Sequence, residues 1–383
     1  MQMNRQMNIM NNSVLETDLA QVRRNAETIV QTLPAGAALV PVLKSDAYGL
    51  GAAEIARVLE PLEAAAGFAV AHVSEGLALR AAGIQKDILV MSSALPWQLS
   101  AAVEAGLTLT CGRAGFASEL EAAARAAGRT AAIHIKIDTG LHRIGFLPEE
   151  LPALCTELQN APALRVTGTF SHFSDTADAA LCAREFALYR SALDTLRAAG
   201  IESGLRHMAC SAASERYPEY CLDAVRVGRR LFMDAPTAPR GNIAEVSTWR
   251  SFVTMVHPRC AGERVGYGGA VTLEHDAVIA TVGVGYGDGL NPALAAVRAP
   301  VLIGGKRCTL LACCMDQCLI DVTGTSCRAG DEAVFFGYDR FGNCLPSQEV
   351  ALLIGGDEGC GLTAALSPRV VRAYIRCVRP CRK

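Results

Sequence analysis

Leu39-Val40-Pro41-Val42-Leu43-Lys44-Ser45-Asp46-Ala47-Tyr48-Gly49-Leu50-Gly51 is an apolar run that stops at a lysine and gives way to a turn-rich stretch. Ala52–Leu62 follows it with a helical pattern. Strand, turn and helix then recur. The further strand candidates are Phe68–His72, Ile88–Met91, Leu107–Cys111, Ala132–Ile137, Val166–Phe170, Leu205–Ala209 and Ala224–Val227, which with the first make eight. Between them lie helical segments such as Ser74–Ala82, Pro96–Ala105, Phe116–Ala127 and Leu181–Ala199, closed by Gly83, Gly106, Gly128 and Gly200 as C-caps should be. Eight such units between Ala38 and Phe232 predict an α/β fold, a (β/α)8 TIM-like barrel, with an opening helix over Thr17–Leu33.

After Pro239 the pattern changes. Short β runs dominate, at Thr248–Val256, Ala277–Val282, Val301–Ile303, Cys308–Ala312, Cys318–Val322 and Glu332–Phe336, with a hairpin signal at Gly304-Gly305. One helical stretch lies near Ser347–Ile354. The expected organisation is a flexible tail over 1–13, a barrel over 14–241 and a β-rich C-terminal domain over 242–383.

Composition removes several classes of function. The 383 residues carry a formal net charge of -2 and no basic run, so there is no electrostatic footprint for nucleic acid or membrane. No apolar stretch approaches the length of a membrane span, and the polar start lacks a signal-peptide core, which predicts a cytoplasmic protein. The 15 cysteines are scattered, with no C-x-x-C pair, and read as small buried hydrophobes in a reducing compartment. No metal site is expected from them.

The chemistry concentrates at the strand ends. Lys44, Lys136, His172, Ser211 and Arg226 each fall at or just past the end of a candidate strand, where barrels of this fold build active sites. A lysine leaving an apolar interior is a good Schiff-base former. Far along the chain, Gly262-Glu263-Arg264-Val265-Gly266-Tyr267-Gly268 puts a tyrosine in a glycine-flanked loop. Lysine and tyrosine are distinct proton carriers, and moving a proton between opposite faces of one carbon needs two.

These residues carry a resemblance. The Lys44 segment resembles the pyridoxal-phosphate lysine segment of the alanine racemase family, and the Tyr267 segment resembles that family's second base. Lys136-Ile137-Asp138-Thr139-Gly140-Leu141-His142-Arg143-Ile144-Gly145, Ser171-His172-Phe173, Asp223-Ala224-Val225-Arg226-Val227-Gly228, Gly285-Tyr286-Gly287-Asp288-Gly289 and Cys314-Met315-Asp316-Gln317 resemble further family blocks, in family order. The match runs from about Val14 to Tyr374.

The resemblance implies a pyridoxal-phosphate-dependent racemase of alanine, or of serine, supplying D-amino acid for peptidoglycan. It implies Lys44 and Tyr267 as catalytic bases, and Tyr48, Ser211, Gly228 and Arg229 around the cofactor phosphate. It implies Arg226 facing the pyridine nitrogen, with His172 behind it. The resemblance also implies Arg143 at the cofactor's phenolic oxygen, and in many family members the lysine at the Lys136 position is carbamylated. A homodimer is implied, in which Tyr267, Tyr286 and Met315 form a wall of the partner's site. Plainer readings stand beside these: Ser211 as a helix N-cap, Arg226 as a structural partner of Asp223, and His172 and Met315 as core residues.

Other family-level alternatives are a decarboxylase or lyase on the same barrel and a non-catalytic pyridoxal-phosphate carrier. The first does not need a Tyr267 base, and the second lacks the β-rich domain. The sequence also departs from the family. Cys210 stands where the family has Asn, Arg229-Arg230-Leu231-Phe232-Met233 replaces an aliphatic run ending in Tyr-Gly, and Leu311-Ala312 replaces Gly-Arg. Cys360 falls at the position of a tyrosine that lines the substrate pocket. The smaller side chain predicts a wider pocket that accepts serine beside alanine.

Overall fold

The computed structural model describes residues 11–233, 243–356 and 359–376. The chain divides into two compact units. One is Ala26–Ala47 with Ala52–Leu231; the other takes in the chain up to Asn25, the short stretch Tyr48–Gly51 and the chain from Phe232 on.

The first unit is a ring of parallel strands. β2 (Ala38–Pro41), β3 (Gly67–Val70), β4 (Asp87–Val90), β5 (Thr108–Cys111), β6 (Ala131–Lys136), β7 (Leu164–Phe170), β8 (Leu205–His207) and β9 (Ala224–Val227) follow the strand β1 (Ser13–Asp18) in chain order. β3 to β8 form one continuous sheet and β2 pairs with β9. Isolated parallel bridges, Leu39 to Ala65 and Val42 to Ala69 on one side and Cys210 to Arg226 on the other, close the circle. Helices Ala52–Leu59, Val73–Ala81, Leu99–Glu104, Phe116–Ala126, Leu151–Gln159 and Ala179–Ala198 alternate with the strands. Each barrel strand lies at the place its apolar run predicts. The helix Leu151–Gln159 has no counterpart in the sequence reading, because its proline and polar residues blur the period.

The opening helix runs Leu19–Thr32. The strand before it, β1, does not join the ring. It pairs antiparallel with β10 (Ser247–Arg259) and parallel with β19 (Val371–Ile375). The expected barrel boundary at residue 14 is therefore replaced by a β-rich unit that includes the N-terminal strand; Trp249 Nε1 donates to Ser13 Oγ at 2.8 Å across that pairing.

The second unit holds the remaining strands: β11 (Arg264–Val265), β12 (Val271–Thr272), β13 (Ala277–Val282), β14 (Pro300–Ile303), β15 (Lys306–Cys313), β16 (Cys318–Asp321), β17 (Glu332–Tyr338) and β18 (Cys344–Leu345). The order β17-β14-β15-β16-β13-β10, with β10 pairing back to β17, makes a second closed ring. The β14–β15 hairpin turns at Gly304-Gly305, as predicted, and both residues have positive φ. β11 and β12 form a separate two-stranded arm. The helix Ser347–Leu352 matches the predicted helical stretch. No described helix is long and apolar enough to cross a membrane.

Candidate active site

β2 ends at Pro41, shortly before Lys44, and the chain after Lys44 turns abruptly. Ser45, Asp46, Ala47 and Tyr48 all have φ between 53° and 59°. This is one turn of left-handed helix made without glycine, which costs about 1–2 kcal/mol per residue for L-amino acids. Ala47 N–H closes it onto Leu43 O at 2.9 Å, and Asp46 Oδ1 accepts the Ala52 N–H at 2.7 Å.

Arg226, on β9, is 4% exposed and has no carboxylate partner among the described residues. Its Nη1 donates to His207 O (3.0 Å) and His207 Nδ1 (2.6 Å); its Nη2 donates to Ser171 O (2.7 Å), Met208 O (3.1 Å) and His172 Nδ1 (3.1 Å). The expected alternative, a pair with Asp223, does not form, because Asp223 takes both ends of Arg206 instead. Nε of Arg226 has no partner among the described residues. The guanidinium also lies over the Phe170 ring, 5.3 Å from its centroid. Burial lowers Arg226 to about 10, which leaves it charged at neutral pH.

An arginine is always a donor, so His207 Nδ1 must accept. His207 Nε2 then carries the proton and donates to His134 Nδ1 at 3.0 Å. Gly168 makes room for that ring: a Cβ there would lie 2.5 Å from His134. Burial, reinforced by Arg226, pushes His134 down to about 4, and His172 down to about 3 with Arg143, Lys136 and Lys44 adding to the effect. His207 falls well below the ordinary histidine value for the same reasons. Neither His134 nor His207 is singled out by the sequence reading. The available signal was the two-residue spacing of His134 and Lys136, which puts both on one face of β6 while Ile133, Ile135 and Ile137 take the other.

Lys136, the last residue of β6, is buried, donates to Ile137 O at 2.5 Å and lies over Phe170. Burial and the Arg226 charge push it down to about 7. The excursion Ile137–Phe146 carries Arg143 and is pinned at its base by Asp138 N–H to Phe146 O and Phe146 N–H to Lys136 O, both 2.9 Å. Asp138 accepts the Gly140 and His142 N–H groups within the loop. Arg143 is exposed and makes no hydrogen bond or ion pair among the described residues. Ser211 opens the short helix Ser211–Arg216 after β8, and Gly228 and Arg229 follow β9. The ring unit thus gathers Lys44, Lys136, Arg143, His172, Ser211, Arg226, Gly228 and Arg229 at one set of strand ends.

The other candidates lie in the β-rich unit. Tyr48 packs on Phe232 with ring centroids 5.7 Å apart. Gly49 backs onto the helix Cys360–Ala364, where a Cβ would come 2.3 Å from Thr363 O; Cys360 itself is buried. Tyr267 stands 85% exposed on a single turn between β11 and β12, with Gly266 and Gly268 both at positive φ. Gly266 sits against Ala312, close in sequence to Met315. The Tyr286 and Met315 loops are knitted by Tyr286 N–H to Cys314 O (2.9 Å) and Gly287 N–H to Met315 O (2.8 Å), and both side chains are exposed.

Two family models cover almost all of this chain: the alanine racemase N-terminal domain over residues 17–236 and the alanine racemase C-terminal domain over residues 246–374. The chain belongs to the alanine racemase family. It is 35% identical to an alanine racemase of Desulfovibrio desulfuricans over 368 residues, 94% of this chain and 97% of that one. It is likewise 35% identical to one of Symbiobacterium thermophilum, over 94% and 96% of the two chains. The solved alanine racemase of a D-cycloserine-producing Streptomyces lavendulae superposes with a TM-score of 0.88 at 32% identity, covering 96% and 98%. That of Bacillus anthracis with bound L-Ala-P gives 0.87 at 27% identity, covering 96% and 95%.

The three low histidines of this alanine racemase family member have a measurable consequence. Their folded pKa values lie below the unfolded value of about 6.5, so below that pH the unfolded chain binds more protons and folding stability must fall with pH. Each histidine adds a slope of up to about 1.4 kcal/mol per pH unit between about pH 6.5 and its folded pKa. Urea titrations between about pH 6.5 and about pH 4.5 should show His134→Gln with a shallower decline than the parent chain. Equal slopes would show that His134 is not held neutral.

Proposed function

We propose that the chain interconverts L- and D-alanine with pyridoxal phosphate held at the C-terminal ends of the ring strands. The observation that carries this reading is Arg226: a buried guanidinium fixed through both Nη atoms, with Nε left as a donor, in the same ring unit as a lysine presented by a strained turn. That donor set fits a pyridine nitrogen. An arginine at pKa about 10 hydrogen-bonds such a nitrogen without protonating it. Ser211 Oγ and the backbone after β9 suit the phosphate, as barrels bind phosphate after their seventh and eighth strands. When bound, the cofactor supplies an electron sink that acidifies the hydrogen on the substrate's α-carbon.

Lys44 would hold the cofactor at rest through its aldehyde carbon, and its freed amine would carry the proton on one face of the substrate α-carbon. Tyr267 carries it on the opposite face. Its exposure on a glycine-flanked turn supports delivery to a second copy of the chain, so the functional unit is a homodimer with Tyr267, Tyr286 and Met315 contributed by the partner. The alanine racemase names of the relatives support alanine as the main substrate. Lys136 is proposed to exist as a carbamate: a buried amine pushed down to about 7 is substantially neutral at that pH, and only the neutral amine adds CO2, releasing one proton. The resulting anion would face Arg143 and Arg226, both of which act on Lys136.

Four measurements test this reading. Tyr267→Phe should keep the cofactor bound yet lose about 10²–10⁴-fold in racemisation, and mixing it with inactive Lys44→Ala subunits should restore activity in the heterodimer. Near-normal turnover by Tyr267→Phe, or no recovery after verified subunit exchange, would remove the two-base dimer. With ¹³C-labelled bicarbonate, a carbamate resonance lost in Lys136→Ala should grow as pH rises through about 7; a pH-independent or absent signal at Lys136 would exclude the modification. For substrate choice, Cys360→Tyr should shift the ratio of specificity constants from serine toward alanine by about 1–3 kcal/mol. An unchanged ratio would show that Cys360 does not shape the pocket.

A further inference from the structure

Leu43 N–H donates to Ala69 O at 2.7 Å, continuing the parallel pairing of β2 with β3 past the end of β2. In a parallel ladder the next bonds would join Ala71 N–H to Leu43 O and Ser45 N–H to Ala71 O. Neither forms. The chain has turned into the left-handed region at Ser45, and Ala71 O accepts Ser92 N–H at 3.1 Å. A single carboxylate replaces both missing rungs. Glu75 Oε1 accepts Ser45 N–H at 2.6 Å, and Glu75 Oε2 accepts Ala71 N–H at 2.7 Å and His72 N–H at 3.1 Å.

We propose that Glu75 is a positioning residue for Lys44. It binds the peptide N–H that directly follows Lys44 and ties the strained turn to the loop after β3, so the lysine leaves the sheet in one direction. Consecutive left-handed residues persist only where their surroundings over-determine them, and Glu75 reaches this turn from a separate element. It is the third residue of the helix Val73–Ala81, whose first turn it caps through His72 N–H. Capping alone uses Oε2; the bond to Ser45 uses the other oxygen and has no capping role. The consequence for Lys44 rests on the reading of that residue as the cofactor amine, whereas the clamp on the turn does not.

Glu75→Gln separates the two roles. Glutamine still completes a capping box, so its oxygen serves Ala71 and His72 while its NH₂ group faces Ser45 N–H and cannot accept. The expected outcome in the cofactor-loaded protein is a melting temperature lowered by no more than about 2 °C and unchanged amide exchange over Val73–Ala81. Exchange over Ser45–Tyr48 should quicken about tenfold or more, as loss of a bond to a charged acceptor implies. The rate at which borohydride fixes cofactor on Lys44 should fall by a similar factor, and kcat should drop with little change in KM. Glu75→Ala should show the same losses together with a weakened helix cap; if it does not fold, Glu75→Gln decides. Native exchange over Ser45–Tyr48 in Glu75→Gln would overturn the proposal, as would faster exchange with an unaltered trapping rate. If the parent protein fixes no cofactor on Lys44, the functional reading falls, while the exchange measurement still decides the clamp.

Discussion

A charged guanidinium buried without a carboxylate partner among the described residues is the constraint from which the ring unit's interior follows. Removing a charge from water is expensive, and the protein meets that cost for Arg226 with carbonyl oxygens and neutral imidazoles rather than a carboxylate. Each surrounding group is then forced into a state. The imidazole nearest the guanidinium must accept, the next must accept from the first, and none can take up a proton without placing a second charge beside Arg226. Lys136, desolvated by burial and lying in the same field, loses much of its tendency to be charged. A carboxylate in place of these partners would have offset the charge beside the histidines, while burial, the larger cause, would still hold their pKa values down.

The Lys44 turn shows a different kind of constraint. Its four left-handed residues store backbone strain in a segment only as long as the turn itself. Strain of that kind is kept by bonds from outside the segment, here from Glu75 and from the Leu43 carbonyl. The two devices are complementary: one fixes charge states in the interior and the other fixes direction at the rim.

Much of this was legible in the sequence, for identifiable reasons. Strands of a closed parallel ring are short apolar runs bounded by polar residues, so the eight runs announced themselves, and residues at their ends were marked by their departure from apolar character. The Gly-Tyr267-Gly loop was legible because glycines flank an otherwise unexplained aromatic residue. What was hidden depends on tertiary placement. Ser13–Asp18 looks like a lead-in to the helix that follows, and nothing local says that its partners are Ser247–Arg259 and Val371–Ile375. The left-handed turn was hidden because Ser45, Asp46, Ala47 and Tyr48 carry no glycine to advertise positive φ. His134 and His207 were hidden because a histidine's importance here comes from a neighbour on another strand. Asp223 misled in the opposite direction: it is close to Arg226 in sequence, yet side chains three apart on an extended strand point to opposite faces, and Arg206 on the adjacent strand claims it.

The position of β1 also sets the order in which the molecule can be assembled. The first described strand to leave the ribosome finds its two neighbours only in β10 and in β19, the last described strand of all. The ring of parallel strands is complete in sequence by Val227, so it can close while synthesis continues. During that interval β1 has unpaired backbone groups on both sides and leaves Val14 and Leu15 uncovered, the condition under which nascent strands find wrong partners. The helix Leu19–Thr32 that follows it directly, and the acidic Glu16 and Asp18 of the strand itself, are its local protection until the C-terminal strand arrives.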